Sequence, residues 1–357
     1  MERRDVRRIF VRAPNWVGDL VMATSAFRRI RESFPDAHIA CAVRPFLKPL
    51  LHGSKWFDEF LEAGKAGGIR GLFRQVRELR QRAFDLAIVL PNSLETGLVP
   101  FLARVPRRLG YRQGRPGLMN LGLRAQGNRG LLRRHGPRRV PKPMPYYYED
   151  LLDVLALPRV DIRPTLAITA EERAFLAGWL ARHGVEDGRR LALLNAGASY
   201  GASKLWEVDR WVRVAREVTS KFGLLPILLA GPNDKDLVVE IARKAGALAA
   251  VDPILPVDTL KPLCERADLM ITTDAGPRHL AVAFRVPVVC LMGPNDPRYT
   301  EYCMDETIVV RKEIECSPCQ LKVCPLGHRR CMTEITVEEV LVAAEQVLAR
   351  SPKRGVH

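Results

Sequence analysis

The sequence predicts an α/β protein built from two parallel-sheet domains in tandem. Apolar strand-like runs alternate with stretches of helical spacing, and the same alternation restarts in the second half of the chain. The length of 357 residues also exceeds what one hydrophobic core usually organises. Because strands that are apolar on both faces are typical of parallel sheets covered by helices, we expect two such domains facing each other across a cleft.

The N-terminal half begins with the strand "RIFVRA", which is followed by helical spacing over 18–33 and by the strand "AHIACAV". A third strand, "FDLAIVL", precedes a helix predicted over 93–103. A further helix is predicted over 146–155, and the Pro-containing stretch "LPRVDIRPTLAIT" is typical of a linker. We therefore predict an N-terminal domain over residues 1–160.

The second half repeats this order. The predicted strands are "RLALLNAG", "LLPILLAG", "DLMITT" and "VPVVCLMG". The predicted helices between them cover 208–222, 234–245 and 276–284. These elements predict a second domain over residues 170–335, followed by a C-terminal helix over 336–350.

The formal charge of +16 is concentrated in one segment, residues 104–142, which has no Asp or Glu. Such a segment either attracts an anionic partner or is a solvated loop kept soluble by its charge. The anionic partner would be nucleic acid, an anionic membrane face or a phosphorylated substrate, and nucleic acid is the weakest of the three because Tyr111 is the only aromatic residue in the run. The twelve basic residues are Arg104, Arg107, Arg108, Arg112, Arg115, Arg124, Arg129, Arg133, Arg134, Arg138, Arg139 and Lys142.

The chain has no apolar run that approaches the roughly 18 residues of a membrane-spanning helix. Its first residues, "MERRDVRRIFV", are basic but lack the apolar block and small-residue cleavage site of a signal peptide. We therefore expect a cytoplasmic protein.

Polar residues gather at three junctions where a predicted strand passes into a helix: "RAPNWVGD", "NAGASYGASKLW" and "TTDAGPRHLA". Ligands of open parallel sheets bind at the carboxyl ends of the strands, where these junctions lie. In the first junction Asp19 stands where a helix begins, so its carboxylate either caps free amides or takes a proton in a cleft.

The second junction is rich in small residues, which allow a phosphate to approach the backbone. Ser199 would add a hydroxyl donor and Lys204 a cation. The spacing is neither that of a Walker loop nor that of GxGxxG, and Gly and Ser between a strand and a helix are often turn residues alone.

In the third junction Asp274 ends a strand, Gly276 permits close approach and Pro277 suits the first turn of a helix. Free amides at this helix N-terminus, with the nearby imidazole of His279, suit a diphosphate. The alternative is that Asp274 is an N-cap and His279 a surface residue.

Four of the eight cysteines form the run "CSPCQLKVCPLGHRRC", with the spacing C-x2-C-x4-C-x6-C and His328 inside it. This spacing is close to that of a zinc knuckle, so Cys316, Cys319, Cys324 and Cys331 are candidate ligands of a structural zinc. Reduced thiols or disulfides are the alternatives, although a cytosolic location argues against stable disulfides.

The motifs "APNWVGDLVMATSAFRRIRESFPDA", "VLPNSLETGLVPFLARVPRRLGYR", "GASYGASKLW" and "TTDAGPRHLAVAFRVPVVCLMGP" occur in this order over residues 9–297. Together they closely resemble the ADP-heptose:lipopolysaccharide heptosyltransferases of glycosyltransferase family nine, the heptosyltransferase II group in particular. The resemblance implies a GT-B fold of two Rossmann-like domains. The first domain would bind mainly the acceptor and the second the nucleotide sugar, and the helix over 336–350 would pack toward the first domain.

By position, the resemblance implies that Asp19 is the catalytic base. It implies a donor site to which we assign Ser199, Lys204, Asp274, Ala275, Gly276 and His279. Within the quoted N-terminal motifs, we assign acceptor binding to Asn15, Asn92 and Arg112. The chain departs from the family pattern at Ala275, where Ser or Thr is usual, so a backbone amide would serve there without a hydroxyl.

The activity implied is inverting transfer of a heptose from ADP-heptose to the inner core of lipopolysaccharide. Asp19 would take the acceptor proton, while Lys204, His279 and the amides after Asp274 would stabilise departing ADP, so no catalytic metal or other cofactor is required. The acceptor is an anionic lipid, which implies a peripheral enzyme on the cytoplasmic face of the inner membrane and gives the basic segment an anionic membrane surface to contact. The alternatives are a GT-B enzyme with another donor or acceptor and, from a different class, a basic nucleic-acid-binding protein.

Overall fold

The computed structural model describes residues 6–64, 68–115, 117–125, 140–197 and 200–350. These residues form two compact units, one of residues 6–125 and 140–167 and the other of residues 168–350. The boundary falls inside the predicted linker, which has no regular secondary structure. Among the described residues, no helix combines the length and the hydrophobicity needed to cross a bilayer.

The first unit contains a five-stranded parallel sheet in the order β3-β2-β1-β4-β5. Its strands are β1 (Arg8–Arg12), β2 (His38–Val43), β3 (Glu59–Glu62), β4 (Leu86–Val89) and β5 (Arg107–Gly110). In the register of the sheet, Phe10 of the central strand lies opposite Ala40 on one side and Ala87 on the other. The middle of β1 and the whole of β4 are buried, as expected for a parallel sheet covered by helices on both faces.

Five helices belong to the first unit: α1 (Val17–Met22), α2 (Thr24–Ser33), α3 (Gly68–Arg82), α4 (Leu94–Leu102) and α5 (Met144–Asp153). Val76 and Leu79 of α3 and Val99 of α4 pack on one face of the sheet, in a core that includes Phe10 and Leu61. Helices α1, α2 and α5 pack against one another.

The helix predicted over 18–33 is divided into α1 and α2 at Ala23. The hydroxyl of Thr24 donates a hydrogen bond to the carbonyl of Val21 over 2.8 Å, and its oxygen accepts one from the amide of Thr165 over 3.0 Å. Because a threonine side chain bonded to the preceding turn competes with the helix backbone, we attribute the break to Thr24.

The second unit contains a six-stranded parallel sheet in the order β11-β10-β9-β6-β7-β8. Its strands are β6 (Leu191–Asn195), β7 (Leu225–Leu229), β8 (Leu248–Ala250), β9 (Leu269–Thr273), β10 (Val288–Leu291) and β11 (Thr307–Val310). The two central strands, β6 and β9, are buried along their whole length, which places the middle of the core between them and the covering helices.

Seven helices belong to the second unit: α6 (Ala170–Arg182), α7 (Val208–Phe222), α8 (Lys235–Ala245), α9 (Leu260–Arg266), α10 (Gly276–Ala283), α11 (Arg330–Thr333) and α12 (Val337–Arg350). Helix α6 starts with a capping box, in which Thr169 and Glu172 each bond to the other's backbone amide. The buried face of α12 lies in the second unit's own core, beside Trp211 and Leu291. Packing of α12 toward the first domain stays a prediction.

The described part of the basic segment 104–142 is more than a solvated loop. Arg107 and Arg108 lie in strand β5. Arg115 is fully buried: its Nε donates to the carbonyl of Tyr111 over 2.7 Å, and its Nη1 donates to Thr96 Oγ1 over 3.3 Å. Arg115 therefore has a structural role and is not available to an anionic surface. Residues 126–139, which carry Arg129, Arg133, Arg134, Arg138 and Arg139, lie outside the described residues.

Candidate functional site

Each sheet has one topological switch point, a pair of neighbouring strands from which the chain adds further strands in opposite directions. In the first unit this place lies between β1 and β4, and in the second between β6 and β9. Loops that follow such a pair diverge and leave a crevice at the carboxyl ends of the strands, where open α/β sheets bind ligands. Asp19 and Asn92 follow β1 and β4, while Lys204 and Asp274 follow β6 and β9. The topology therefore places the predicted site residues at both crevices.

Lys204 and Asp274 form a buried ion pair in the second unit. Lys204 ends a short 3-10 turn after β6, and Asp274 directly follows β9. The ammonium of Lys204 lies 3.0 Å from Asp274 Oδ2 and donates a second hydrogen bond, of 2.5 Å, to the Asp274 carbonyl. Lys204 is only 5% exposed and Asp274 8% exposed. The sequence predicted both residues for one site, and the structure brings them into direct contact.

Two further side chains bind the Asp274 carboxylate, and the sequence analysis did not select either of them. Asn295 donates from Nδ2 to Oδ2 over 2.6 Å, and Arg278 Nη1 lies 3.4 Å from Oδ1. Asn295 follows β10, the strand next to β9, and Arg278 lies four residues after Asp274. Since residues four apart meet on a helix, this spacing was the available sequence signal for Arg278. We call Lys204, Asp274, Arg278 and Asn295 the Asp274 cluster.

The Asp274 cluster carries an excess of positive charge. Burial alone would raise the pKa of Asp274, but the charges of Lys204 and Arg278 outweigh it and hold this pKa well below its usual range. The carboxylate is therefore ionised, and one anion faces two buried cations. A buried, unbalanced positive charge favours an anionic ligand, because such a ligand supplies the missing countercharge.

Helix α10 begins next to this cluster without a side-chain cap. Its N-cap residue is Ala275, and Gly276 and Pro277 form the start of its first turn. The Asp274 carboxylate binds the cluster and caps no amide of this helix, so the interpretation of Asp274 as an N-cap is wrong. An uncapped helix N-terminus presents unsatisfied amides and a partial positive charge, which suits a phosphate group.

His279 lies in the first turn of α10 and is buried, so its interpretation as a surface residue is also wrong. Its Nδ1 is 2.7 Å from the hydroxyl of Tyr302, and the two rings are stacked with an interplanar angle of 9°. Burial lowers the pKa of His279 to about 3, and the charge of Arg278 contributes to this lowering. At neutral pH the imidazole is therefore uncharged and acts as a hydrogen-bonding group. Tyr302 had no signal in the sequence.

The loop that carries Lys204 is held by the cysteine-rich segment, residues 316–331. The hydroxyl of Tyr200 donates to the carbonyl of Gln320 over 2.7 Å. The amide of Ser203 donates to the carbonyl of Lys322 over 3.0 Å, and the Ser203 hydroxyl to the carbonyl of Leu321 over 2.6 Å. Ser199, the other donor-site candidate in this loop, lies outside the described residues.

The four cysteines of this segment and His328 line one small pocket, together with Ser203 and Pro294. No three of their ligand atoms lie within 4.8 Å of one another. Sulfurs around a tetrahedral zinc are about 3.8 Å apart, given Zn–S bonds of about 2.3 Å. Binding of zinc would therefore require these ligand atoms to move closer together, and a structural zinc at these residues stays a prediction. Burial raises the pKa of the Cys331 thiol to about 11, and charge on Cys319 and Cys316 contributes to the rise.

In the first unit, Asp19 lies in the first turn of α1 and is half-buried. The N-cap of this helix is Trp16, which makes no side-chain cap bond, so Asp19 is not the N-cap that one interpretation of the sequence proposed. A carboxylate in the first turn is favoured by the helix dipole. Its role as a base stays a prediction.

The three predicted acceptor residues follow β1, β4 and β5, which are neighbours in the sheet. Asn15 Oδ1 accepts a hydrogen bond of 2.6 Å from Arg12. Asn92 is exposed, and its Nδ2 donates to the hydroxyl of Tyr147 over 2.9 Å. Arg112 is exposed and donates from Nη2 to the carbonyl of Asn120 over 2.8 Å. These residues therefore line the same edge of the first sheet.

Comparison with known proteins finds relatives over nearly the whole chain. Lipooligosaccharide heptosyltransferase 2 of Campylobacter jejuni is 25% identical over 356 residues, which cover 96% of this chain and 99% of that protein. The structure of E. coli ADP-heptose LPS heptosyltransferase II has a TM-score of 0.76 at 23% identity and covers 96% of this chain and 99% of its own. The structure of the family 9 glycosyltransferase of Veillonella parvula has a TM-score of 0.78 at 23% identity and covers 98% and 99%.

These structures confirm the predicted fold class, GT-B-like with two parallel-sheet units. The sequence profile of one enzyme family begins within α3 of the first unit and, in the second unit, covers both Lys204 and Asp274. That profile, glycosyltransferase family 9 (heptosyltransferase), matches residues 72–329, well over half of the chain, and the chain therefore belongs to this family.

Proposed function

We propose that this protein transfers a heptose from ADP-heptose to the inner core of lipopolysaccharide. The observation that carries the proposal is the Asp274 cluster, whose surplus positive charge lies beside the uncapped N-terminus of α10 in a member of a glycosyltransferase family. The relatives in Campylobacter jejuni and E. coli carry the names of heptosyltransferases, and the E. coli name includes ADP-heptose. This agreement supports the choice of donor and acceptor.

In the proposed reaction an acceptor hydroxyl attacks the anomeric carbon of the heptose, and the bond from that carbon to the ADP oxygen breaks, with inversion. Asp19 takes the proton of the hydroxyl. The departing diphosphate gains negative charge, which Lys204, Arg278 and the amides at the start of α10 stabilise. Neutral His279 contributes a hydrogen bond, and Asn15, Asn92 and Arg112 position the acceptor.

The proposed acceptor is an anionic lipid. We therefore infer that the enzyme works as a peripheral protein on the cytoplasmic face of the inner membrane, where anionic headgroups attract basic residues. An enzyme of the same fold with another nucleotide sugar or glycan acceptor is the second candidate. A net charge of +16 is also compatible with a nucleic-acid partner, for which the described site residues give no support.

A thermal-shift screen of nucleotides and nucleotide sugars tests the donor. We expect ADP and ADP-heptose to raise the melting temperature, since a ligand that binds only the folded state stabilises it. UDP, GDP and their sugars should have little effect. A larger shift with UDP- or GDP-sugars would contradict the ADP-heptose assignment and favour the second candidate.

Lys204→Ala tests the phosphate site. We expect ADP binding to weaken by about 1 to 3 kcal/mol, the range for a charge-assisted hydrogen bond, as measured by calorimetry. Lys322→Ala is the matched control, because Lys322 lies over the same Tyr200 ring as Lys204 but is exposed. Equal ADP affinity in the Lys204 variant and the parent would remove Lys204 from the donor site.

The cysteines of residues 316–331 give a separate prediction. No three of their ligand atoms lie within 4.8 Å of one another, which favours four reduced thiols over the structural zinc. Elemental analysis of protein purified without a metal-affinity tag should give a zinc-to-protein ratio near zero, and a thiol reagent should titrate these residues in the folded state. One equivalent of zinc, released only on unfolding, would instead establish the structural zinc that the spacing suggested.

A further inference from the structure

We propose that the exposed face of α3, together with Phe101 of α4, docks the enzyme on an anionic lipid bilayer. We call this face, formed by Ile69, Arg70, Phe73, Arg74, Arg77, Arg80 and Phe101, the α3–α4 surface. The inference deepens the proposed function and rests on it in one respect, since a lipid acceptor requires the enzyme to reach a membrane. The surface is distinct from residues 126–139 of the basic segment, which carry five of its arginines and lie outside the described residues.

Helix α3 is amphipathic in an unusual way, because its solvent face carries large apolar side chains. At 100° per residue, its exposed side chains occupy an arc of about 140°. Ile69 is 73% exposed and Phe73 61% exposed, and they are stacked one turn apart at one edge of this arc. Val76 and Leu79 lie outside this arc and fill the core beneath the helix. Ile69 and Phe73 therefore do not contribute to the hydrophobic core.

The same arc is strongly basic. Arg70, Arg74, Arg77 and Arg80 are exposed on it, and it carries no acidic residue. The only acid of α3, Glu78, lies about 40° beyond Arg74, outside this arc, half-buried and 3.4 Å from Arg82. Among the described residues, Arg70, Arg74 and Arg77 have no ion-pair partner. This charge is complementary to a negatively charged surface.

Helix α4 extends the surface. Its Phe101 is 41% exposed, and the guanidinium of Arg108 lies 5.3 Å from the centre of the ring. Arg80 Nη2 donates to the carbonyl of Leu102 over 2.7 Å, which joins the C-terminal ends of the two helices. Exposed Arg104 follows the C-terminal end of α4 by two residues. Apolar and basic groups are therefore mixed across both helices.

This mixture fits the interface of an anionic bilayer better than water or a nucleic acid. Helix α3 has 15 residues, or about 22 Å, and a helix of this kind lies in the plane of the headgroups with its apolar side chains inserted. Arginine side chains reach outward to phosphates while their stems stay near the apolar layer. A nucleic acid would use the arginines but would gain nothing from Ile69.

Co-sedimentation of the full chain with vesicles tests the proposal. The vesicles are equal parts of phosphatidylcholine and phosphatidylglycerol, with pure phosphatidylcholine as the neutral reference. Ile69→Ser with Phe73→Ser should weaken binding to the anionic vesicles roughly tenfold or more, because two apolar insertions are lost. Arg70→Gln, Arg74→Gln and Arg77→Gln together should weaken it about a hundredfold, at about fivefold per basic residue, and added salt should reduce this effect.

Matched controls come from exposed residues of the second unit. Phe175→Ser with Val239→Ser removes two apolar side chains of lower exposure, and Arg182→Gln, Arg189→Gln and Arg243→Gln remove three exposed arginines. Both control proteins should bind vesicles like the parent. Phe73→Ser alone serves as a milder variant, and circular dichroism with retained stabilisation by ADP shows that each variant is folded.

Parent-like vesicle binding by both α3 variants would overturn the proposal. So would a result in which the arginine variant loses vesicles and a DNA duplex equally while the apolar variant loses neither, because that pattern describes a general polyanion site. These readouts contain no donor sugar and no acceptor. Failure of the α3–α4 surface is therefore distinguishable from failure of the proposed function, which would appear as a parent protein that ADP does not stabilise.

Discussion

Asp19→Asn should lower the turnover of heptose transfer by roughly a hundredfold or more, while ADP affinity changes little. The amide keeps the size of the side chain and its place in the first turn of α1 but cannot take the proton of the acceptor hydroxyl. An effect on turnover with little effect on binding is expected of a group that acts in the transition state. Steady-state kinetics with ADP-heptose, and calorimetry with ADP, measure the two quantities.

The same substitution also removes a negative charge from a helix N-terminus, and this loss needs its own control. Asp236→Asn removes an exposed first-turn carboxylate from α8, so it reproduces the loss of the helix-dipole interaction alone. We expect normal turnover in this variant. Near-normal turnover in the Asp19 variant would instead show that Asp19 only stabilises α1.

Asp274→Ala should destabilise the protein by about 3 to 5 kcal/mol, because it leaves the buried cations Lys204 and Arg278 without their counterion. The variant also loses the Asn295 contact that joins the loops after β9 and β10. Chemical denaturation at neutral pH measures the free energy of unfolding. The carboxylate stabilises the fold while it is ionised, so the parent should lose this contribution as the pH falls below the usual range of aspartate.

The control is a solvent-exposed ion pair in the same unit. Arg173 and Glu265 contact each other between α6 and α9, but both side chains are more than one-third exposed. Glu265→Ala should change the free energy of unfolding by less than about 1 kcal/mol, as is usual for surface pairs. Similar losses in both variants would mean that the Asp274 cluster is weakly coupled to the fold.

The elements that the sequence predicted are those whose pattern comes from burial. Strands β1, β2, β4, β6, β7, β9 and β10 were predicted because their apolar runs are continuous, and α7 matches the predicted range 208–222. Strand β3, a half-exposed edge strand of four residues, was not predicted, and neither was β5, whose arginines hid it inside the basic segment. Helix α3 was also not predicted, because its five arginines mask the apolar spacing. Edge position and local charge weaken the hydrophobic pattern by which strands and helices are recognised.

The candidate site was predicted in part for a similar reason. Lys204 and Asp274 follow strands that were recognisable, so their shared edge could be expected. Their direct pairing could not, because it depends on which strands become neighbours. The same holds for Asn295, which reaches Asp274 only since β10 lies beside β9. The burial of His279 depends on Tyr302, a residue 23 positions away.

The hydrogen bonds between residues 316–331 and the Lys204 loop determine which sequence changes the protein tolerates there. The three bonds end on the main-chain carbonyls of Gln320, Leu321 and Lys322, and every residue has such a carbonyl. The three bonds therefore do not depend on the side chains at these positions, but they do depend on the spacing of the carbonyls. A Cβ at Gly201 would lie 2.4 Å from the Lys322 carbonyl oxygen. The two backbones are therefore too close for residues 320–322 to shift by one position along the Lys204 loop. Deleting one residue from 320–322 should harm ADP binding more than replacing all three side chains with alanine.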